Sequence, residues 1–220
     1  PSFNIDLNEK RKLKLLTSYS KAFISPGLYQ LFDPVYGNPD LKPEENKSFE
    51  FGFEIHSEKN GLSLLYFNRS ENPTLIFDNA NSKYGNSSKK IVYEGLEMGY
   101  EVNVRETMDI RLNYLYTDST TGDLRMISKH SFNGVMDFTL SQKTNLNIIG
   151  QYYGKRIAND KVTDLDAYGL VTLQLNHRLG NQNANLFFSV VNLFDAEYVI
   201  IPEYTTRGRN VLAGISFTID

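Results

Sequence analysis

Along most of this chain apolar and polar residues alternate one by one. Phe49, Phe51, Phe53 and Ile55 alternate with Glu50, Gly52, Glu54 and His56. Leu96, Met98, Tyr100, Val102 and Val104 alternate with Glu97, Gly99, Glu101, Asn103 and Arg105. Val211, Ala213, Ile215, Phe217 and Ile219 alternate with Leu212, Gly214, Ser216 and Thr218. A period of two is the signature of a strand with one apolar and one polar face. No apolar stripe at helical spacing is sustained. The pattern predicts eleven strands, at residues 1–7, 12–23, 46–57, 62–76, 91–105, 109–118, 129–140, 145–157, 166–177, 184–193 and 208–219, the first read as cut short. Most run to about 10–15 residues, against ~5–6 in soluble sheets and the roughly 9–11 that cross a bilayer.

The connections alternate short and long. Short ones lie at Asn8-Glu9-Lys10-Arg11, Glu58-Lys59-Asn60-Gly61, Glu106-Thr107-Met108, Ser141-Gln142-Lys143-Thr144 and Arg178 to Asn183. Long ones span 24–45, 77–90, 119–128, 158–165 and 194–207. An up-and-down meander gathers all the long connections at one end. Transmembrane barrels have this asymmetry, with short periplasmic turns and long external loops, whereas a Greek-key sandwich has no reason to keep it. The expected fold is all-β: an antiparallel up-and-down transmembrane β-barrel. At about twenty residues per strand and connection, these 10–11 strands are expected to be part of a larger barrel. An open edge in lipid would strand backbone groups at several kcal/mol each, so the chain reads as part of a longer protein.

Lipid offers no hydrogen-bond partners, so the outside of a barrel is apolar and the lumen can be polar. Phe51, Phe53, Leu64, Tyr100, Val102, Leu112, Phe138, Leu173, Val190 and Ile215 are expected to face lipid. Glu50, Glu54, Glu97, Glu101, Arg105, Arg111, Asn113, Asp137 and Gln174 are expected to face inward. Tyr19, Tyr66, Tyr93, Tyr116, Tyr152 and Tyr168, near strand ends, suit an interfacial girdle; ordinary strand aromatics are the alternative.

Composition narrows the field. The 220 residues carry a net charge of -3 and contain no cysteine and no tryptophan. Without cysteine there is no disulfide framework, thiolate metal site or Cys nucleophile. A pI near 5.7 argues against a nucleic-acid partner. Pro1-Ser2-Phe3-Asn4 is no signal peptide, so the chain is either a processed or truncated piece or one never exported, and the strand pattern favours truncation.

One stretch is more specific than periodicity. GNPDLKPE at residues 37–44, within YSKAFISPGLYQLFDPVYGNPDLKPEENKSFEFGFE, resembles the TonB-dependent outer-membrane receptors. YEGLEMGYE at 93–101, NLFDAEY at 192–198 and TRGRNVLAGISFTI at 206–219 resemble other segments of that family, in order. The resemblance covers essentially the whole chain and maps it to the C-terminal half of the barrel, which implies that its 10–11 strands are half of a roughly 22-stranded barrel. The plug domain, the energy-coupling box and the first half of the barrel are not in it. The family usually ends on an aromatic, whereas this chain ends at Asp220 with Phe217 three residues earlier.

The resemblance implies a receptor and transporter, not an enzyme, in the outer membrane of a Gram-negative bacterium. It would drive active uptake of a large scarce nutrient, with cobalamin slightly ahead of a ferric siderophore. Its partners would be that ligand, outer-membrane lipid and, through the missing plug, the inner-membrane TonB energy-transducing complex; a surface lipoprotein is a further candidate. No cofactor is implied. A passive porin, a complete ten-stranded membrane hydrolase and a soluble carbohydrate-binding sandwich are the competing readings.

Ligand contact is sought in the long loops. Loop 24–45 offers Tyr29, Phe32, Asp33, Tyr36 and Asn38; loop 77–90 offers Phe77, Asp78, Asn79, Asn81 and Tyr84; loop 194–207 offers Tyr198, Glu203 and Tyr204. Aromatic faces stack on a large amphipathic ligand while amides bond its polar edge. Packing of these rings among themselves is the alternative. Gly37, Asn38, Pro39, Leu41, Pro43 and Glu44 are read as structural, shaping the descent from loop to strand. Arg207, Gly208 and Arg209 are expected to pair with lumen acids near the rim, with an anionic ligand as the alternative. His56 and His177 fall at the turn end and His130 at the loop end, so they cannot converge on a catalytic site. An acid–His pair of Asp118 or Asp123 with His130 lacks a third group. Asp33 and Asp40 fall short of the 6–8 oxygens of a calcium site.

Overall fold

The computed structural model describes residues 1–120, 124–159, 162–180 and 184–217. In chain order the strands are β1 (Ser2–Asn8), β2 (Arg11–Ile24), β3 (Glu44–Ser57), β4 (Asn60–Glu71), β5 (Thr74–Asp78), β6 (Lys83–Ser87), β7 (Ile91–Arg105) and β8 (Met108–Ser119). There follow β9 (His130–Ser141), β10 (Thr144–Tyr153), β11 (Arg156–Ile157), β12 (Asp164–Leu165), β13 (Tyr168–Leu179), β14 (Ala184–Val191) and β15 (Asn210–Phe217). One five-residue helix, α1 (Leu28–Phe32), lies in the first long loop.

Eleven strands form one antiparallel sheet in the order β1-β2-β3-β4-β7-β8-β9-β10-β13-β14-β15. Every neighbour in space is a neighbour in the meander, and β5–β6 and β11–β12 are small hairpins within long connections. A sandwich needs a second stacked layer; this single sheet excludes it. The sheet does not close on itself, since β1 and β15 are its two edges. It is therefore part of a barrel wall.

Register fixes the faces, because paired residues point to the same side. Val102, Ile110, Met136, Ile148, Leu173, Val190 and Val211 form one apolar row from β7 to β15. The neighbouring row on the opposite face is polar: Ser63, Gly99, Asn113, Asn133 and Gln151. All ten residues expected to face lipid share the apolar face. Eight of the nine expected inward lie on the polar one; Arg105 sits where the register shifts at the turn end. On the polar face Lys14 pairs with Glu54 at 3.2 Å, Arg111 pairs with Asp137, and His56 lies 3.4 Å from Glu101.

The apolar face is uncovered. Among the described residues the buried hydrophobic side chains are only Leu41, Ala158, Leu165 and Ala184. Phe51 is 53% exposed, Tyr100 42% and Ile215 52%. A chain this long that buries so little apolar surface internally would not fold in water. Lipid is the solvent that suits that face.

Three expectations change. The strand expected at 62–76 ends at Glu71; after Asn72-Pro73 the same apolar run folds back as β5 and β6, outside the sheet. The strand expected at 145–157 ends at Tyr153, and β11 belongs to a loop hairpin. Tyr93 and Tyr168 leave the girdle: Tyr93 has the parity of Glu97, and Tyr168 that of Gln174, so both belong to the polar face. Tyr19, Tyr66, Tyr116 and Tyr152 remain on the apolar face near the loop end. Asn183, Thr218, Ile219 and Asp220 lie outside the described residues.

Candidate functional site

The loop end carries two built clusters. The first joins residues 25–43 to the β5–β6 hairpin. The Gln30 side chain caps the Gly27 amide at 2.8 Å and starts α1. Asp33 then accepts the amides of Val35 at 2.9 Å and Tyr36 at 2.7 Å, turning the chain toward the hairpin. The Tyr84 amide donates to the Tyr36 carbonyl at 3.0 Å, and Asn38 Nδ2 donates to the Tyr84 carbonyl at 3.0 Å. Asn86 bonds both the amide and the carbonyl of Lys42, at 2.8 and 2.9 Å. Glu44 accepts the Leu75 amide at 3.0 Å.

These bonds bring four rings together. Tyr29 meets Tyr84 at 6.1 Å, Phe77 meets Tyr84 at 5.1 Å and Tyr36 meets Phe77 at 5.8 Å, all edge to face. Four sequence candidates from two loops thus converge. Phe32 is exposed, and Asn79 lies exposed at the hairpin tip. Asp78 and Asn81 shape that tip: Asn81 Nδ2 donates to Asp78 at 2.6 Å and, with the Ala80 amide, holds its carboxyl below the usual range.

The GNPDLKPE segment is the clasp of this unit. A Cβ on Gly37 would lie 2.5 Å from the Asp33 carbonyl oxygen and 2.6 Å from its nitrogen, so backbone would have to move. Asn38 also caps the Asp40 amide at 3.0 Å, Leu41 is buried, and Pro39 and Pro43 flank the descent into β3. Gly37→Ala should loosen the clasp without touching the sheet. Proteolytic nicking within 25–43 is expected to speed by about tenfold; an unchanged nicking rate would show that the loop has room for the methyl.

The second cluster lies across β8 and β9 from the first. Tyr153, Tyr168 and Tyr198 stack in a column, at 5.2 and 4.8 Å. Arg156, buried, lies over the Tyr168 ring at 5.2 Å and donates to the Val199 carbonyl at 2.6 Å. Beside the column a cleft of about 620 Å³ is lined by Asp164, Asp166, Tyr168, Tyr198, Tyr204 and Thr206 among others. Tyr204 is 71% exposed on its rim, and Glu203 takes a left-handed conformation beside it, φ 69°. Tyr153, Arg156, Asp164 and Asp166 were not among the sequence candidates. Only Tyr153 carried a signal, as an aromatic at a strand end.

The NLFDAEY segment is structural. Asn192 is 2% exposed and bonds both the amide and the carbonyl of Ala196 at 2.9 Å. Asp195 accepts the Arg209 amide at 2.6 Å, and its carboxylate oxygen stands 2.7 Å from where a Cβ on Gly208 would lie. Arg209 reaches the Asp195 carboxylate at 3.9 Å, an acid of the rim loop rather than of the lumen wall. Arg207 is exposed.

The histidines stay apart. His56 belongs to the polar face at the turn end, and His177 bonds Thr144 at 2.9 Å. His130 stacks on Tyr114 and bonds its hydroxyl at 2.7 Å. Asp118 accepts from the Tyr116 hydroxyl at 3.1 Å and from Lys129 at 2.9 Å, and its bond to Lys129 raises the Lys129 pKa. Asp123 lies outside the described residues.

A bilayer-spanning barrel wall crowned by two aromatic loop clusters defines a membrane β-barrel. The particular family follows from comparison with known proteins. Residues 1–193 match the family described as TonB dependent receptor-like, beta-barrel, and the chain belongs to it. The Vitamin B12 transporter BtuB of Vibrio cholerae serotype O1 is 26% identical over 211 residues, 91% of this chain and 34% of that protein. The chain therefore spans about a third of such a relative. The copper transporter OprC superposes with a TM-score of 0.79 at 16% identity, over 99% of this chain and 39% of that one. A ferric enterobactin receptor of Pseudomonas aeruginosa, PfeA, superposes with a TM-score of 0.78 at 20% identity, over 97% and 39%. At these identities the two structures share the fold alone. The family match leaves the porin and hydrolase readings without support.

Proposed function

We propose that this chain is the C-terminal part of the barrel of an outer-membrane receptor that takes up a large, scarce nutrient in a TonB-dependent manner. The plug domain and the first half of the barrel would belong to the same protein. The observation that carries this reading is the family match over residues 1–193, joined to a loop end whose aromatic clusters are held by side-chain bonds. The external loops capture the cargo, the plug blocks the lumen, and the inner-membrane complex supplies the pull. The chain supplies wall and part of the capture surface and does no bond chemistry.

The four-ring unit and the tyrosine column suit a bulky ligand with flat and polar faces. Tyr29, Tyr36, Phe77 and Tyr84 would meet it from one side, with Phe32, Asp33, Asn38 and Asn79 around them, and Tyr198 and Tyr204 from the other. Cobalamin is favoured, supported by the vitamin B12 transporter at 26% identity; a ferric siderophore is the next candidate.

Uptake of labelled cyanocobalamin and of ferric siderophores into cells with and without the full-length receptor tests this. Uptake that depends on both the receptor and the inner-membrane complex is expected. Uptake that continues when that complex is deleted would instead mark a passive pore.

A further inference from the structure

Arg156 is the one charged side chain buried among the described residues, at 7% exposure. Burying a guanidinium is costly unless its donors are matched, and Nε of Arg156 finds no acceptor. An apolar side chain of similar size would fill the space at lower cost. The position therefore uses something that only a guanidinium offers.

Its contacts show what that is. A guanidinium can stack its flat face on an aromatic ring and still donate from its edge. The face of Arg156 lies over the Tyr168 ring at 5.2 Å, and Nη2 donates to the Val199 carbonyl at 2.6 Å. One side chain of the β11–β12 hairpin thus grips the wall, through Tyr168 at the start of β13, and the 194–207 loop, through Val199. The hairpin is itself firmly held. Leu165, the cross-strand partner of Arg156, is buried, as is Ala158, and the Met126 amide donates to the Ile157 carbonyl at 2.8 Å.

The loop needs such a hold. Asn192 and Asp195 fix its ends, while its middle carries Tyr198, Val199 and Tyr204 along the cleft. Asp195 and Glu203 take left-handed conformations, φ 55° and 69°, which cost free energy in residues other than glycine and persist only where the surroundings impose them. Thr206 Oγ1 donates to the Tyr198 carbonyl at 2.6 Å, which links the Tyr198–Val199 peptide to the far side of Tyr204. Arg156 does not line the cleft, so it acts on the contents of the cleft through this loop.

We propose that Arg156 is a positioning residue for cargo capture. By holding Val199 against the β11–β12 hairpin it keeps Tyr198 seated on Tyr168, and Tyr204 on the cleft rim, before cargo arrives. This rests on the reading of the chain as part of an uptake receptor. A loop ordered in advance spares the cargo the entropy of ordering it.

The test uses the full-length receptor as wild type, R156Q, Y198A/Y204A and the triple variant R156Q/Y198A/Y204A, with cyanocobalamin and ferric enterobactin as probes in calorimetric titration. R156Q should weaken the probe that wild type binds by about tenfold. In the Y198A/Y204A background the same substitution should cost less than about twofold, because residues that act as one unit are not additive. An equal loss in both backgrounds overturns the assignment, since Arg156 would then act by another route; an unchanged affinity in R156Q overturns it as well. Chymotrypsin cleavage after Tyr198 and Tyr204 reads the loop directly and should quicken about tenfold in R156Q. An unchanged rate shows that the arginine does not hold the loop. A wild type that binds neither probe counts against the uptake reading instead, and the cleavage rates still decide whether Arg156 holds the loop. Unchanged heat-modifiable mobility shows that the wall remains folded. Should R156Q fail that check, Tyr168→Leu, which removes the ring under the guanidinium, takes its place with the same expected results.

Discussion

Met98→Arg is expected to destabilise the barrel sharply, while Glu97→Arg one residue away leaves it intact. Met98 lies in the middle of β7, 45% exposed, between Leu64 and Tyr114 on the lipid-side face. An arginine there meets hydrocarbon at a cost of roughly 2–4 kcal/mol at the bilayer midplane. That is a large share of a typical stability of about 5–15 kcal/mol. Glu97 lies on the lumen side between Leu65 and Leu115, where a charge keeps its water. Heat-modifiable electrophoretic mobility of the full-length receptor reads the folded fraction of each variant. If the two variants fold equally well, or Glu97→Arg is the one that fails, the faces have been assigned the wrong way round.

Tyr84→Ala should be the most damaging single change to cargo capture. Its ring touches both Tyr29 and Phe77, whereas its backbone bonds to Tyr36 and Asn38 survive the substitution. Each lost edge-to-face contact is worth about 0.5–1.5 kcal/mol. Affinity for the transported cargo is therefore expected to fall by about tenfold or more in calorimetric titration. Tyr84→Phe keeps the ring and should bind nearly as wild type. Phe32→Ala removes a side chain that meets no other ring among the described residues and should cost less. A Tyr84→Ala receptor that binds normally would mean that the cargo is held elsewhere, with the tyrosine column beside Arg156 as the next place to look.

Much of the wall was legible because alternation is local. Whether Phe51 and Val102 share a face depends only on counting by two and on pairing through short turns. The same counting would have excluded Tyr93 and Tyr168 from the girdle; they were chosen for residue type and nearness to a strand end, and parity outweighs both. The hairpin of β5 and β6 was hidden for another reason. Thr74-Leu75-Ile76-Phe77 continues the apolar run of β4, and only Asn72-Pro73 marks the break.

The loop clusters were half legible. Aromatics and amides in long loops named the members of the four-ring unit, but nothing local says that Tyr84 meets Tyr29 across 55 positions of sequence. Arg156 was invisible, because an arginine in a loop ordinarily reads as solvated; its burial comes from a tyrosine column assembled by three separate segments. GNPDLKPE was recognised as structural, and the reason emerges only in three dimensions. Gly37 yields space to Asp33 while Asn38 and Lys42 tie down a hairpin more than forty residues away.

That tie has a practical side. Asn38 and Lys42 fasten the first long loop to Tyr84 and Asn86 at two points, so neither segment can be remodelled alone. An epitope tag or fluorophore grafted between Leu28 and Lys42 would disturb the hairpin as well. The exposed tip at Asn79 and Ala80 projects past both fastenings. It is the place on this half of the surface where a reporter could be attached with the clasp left shut.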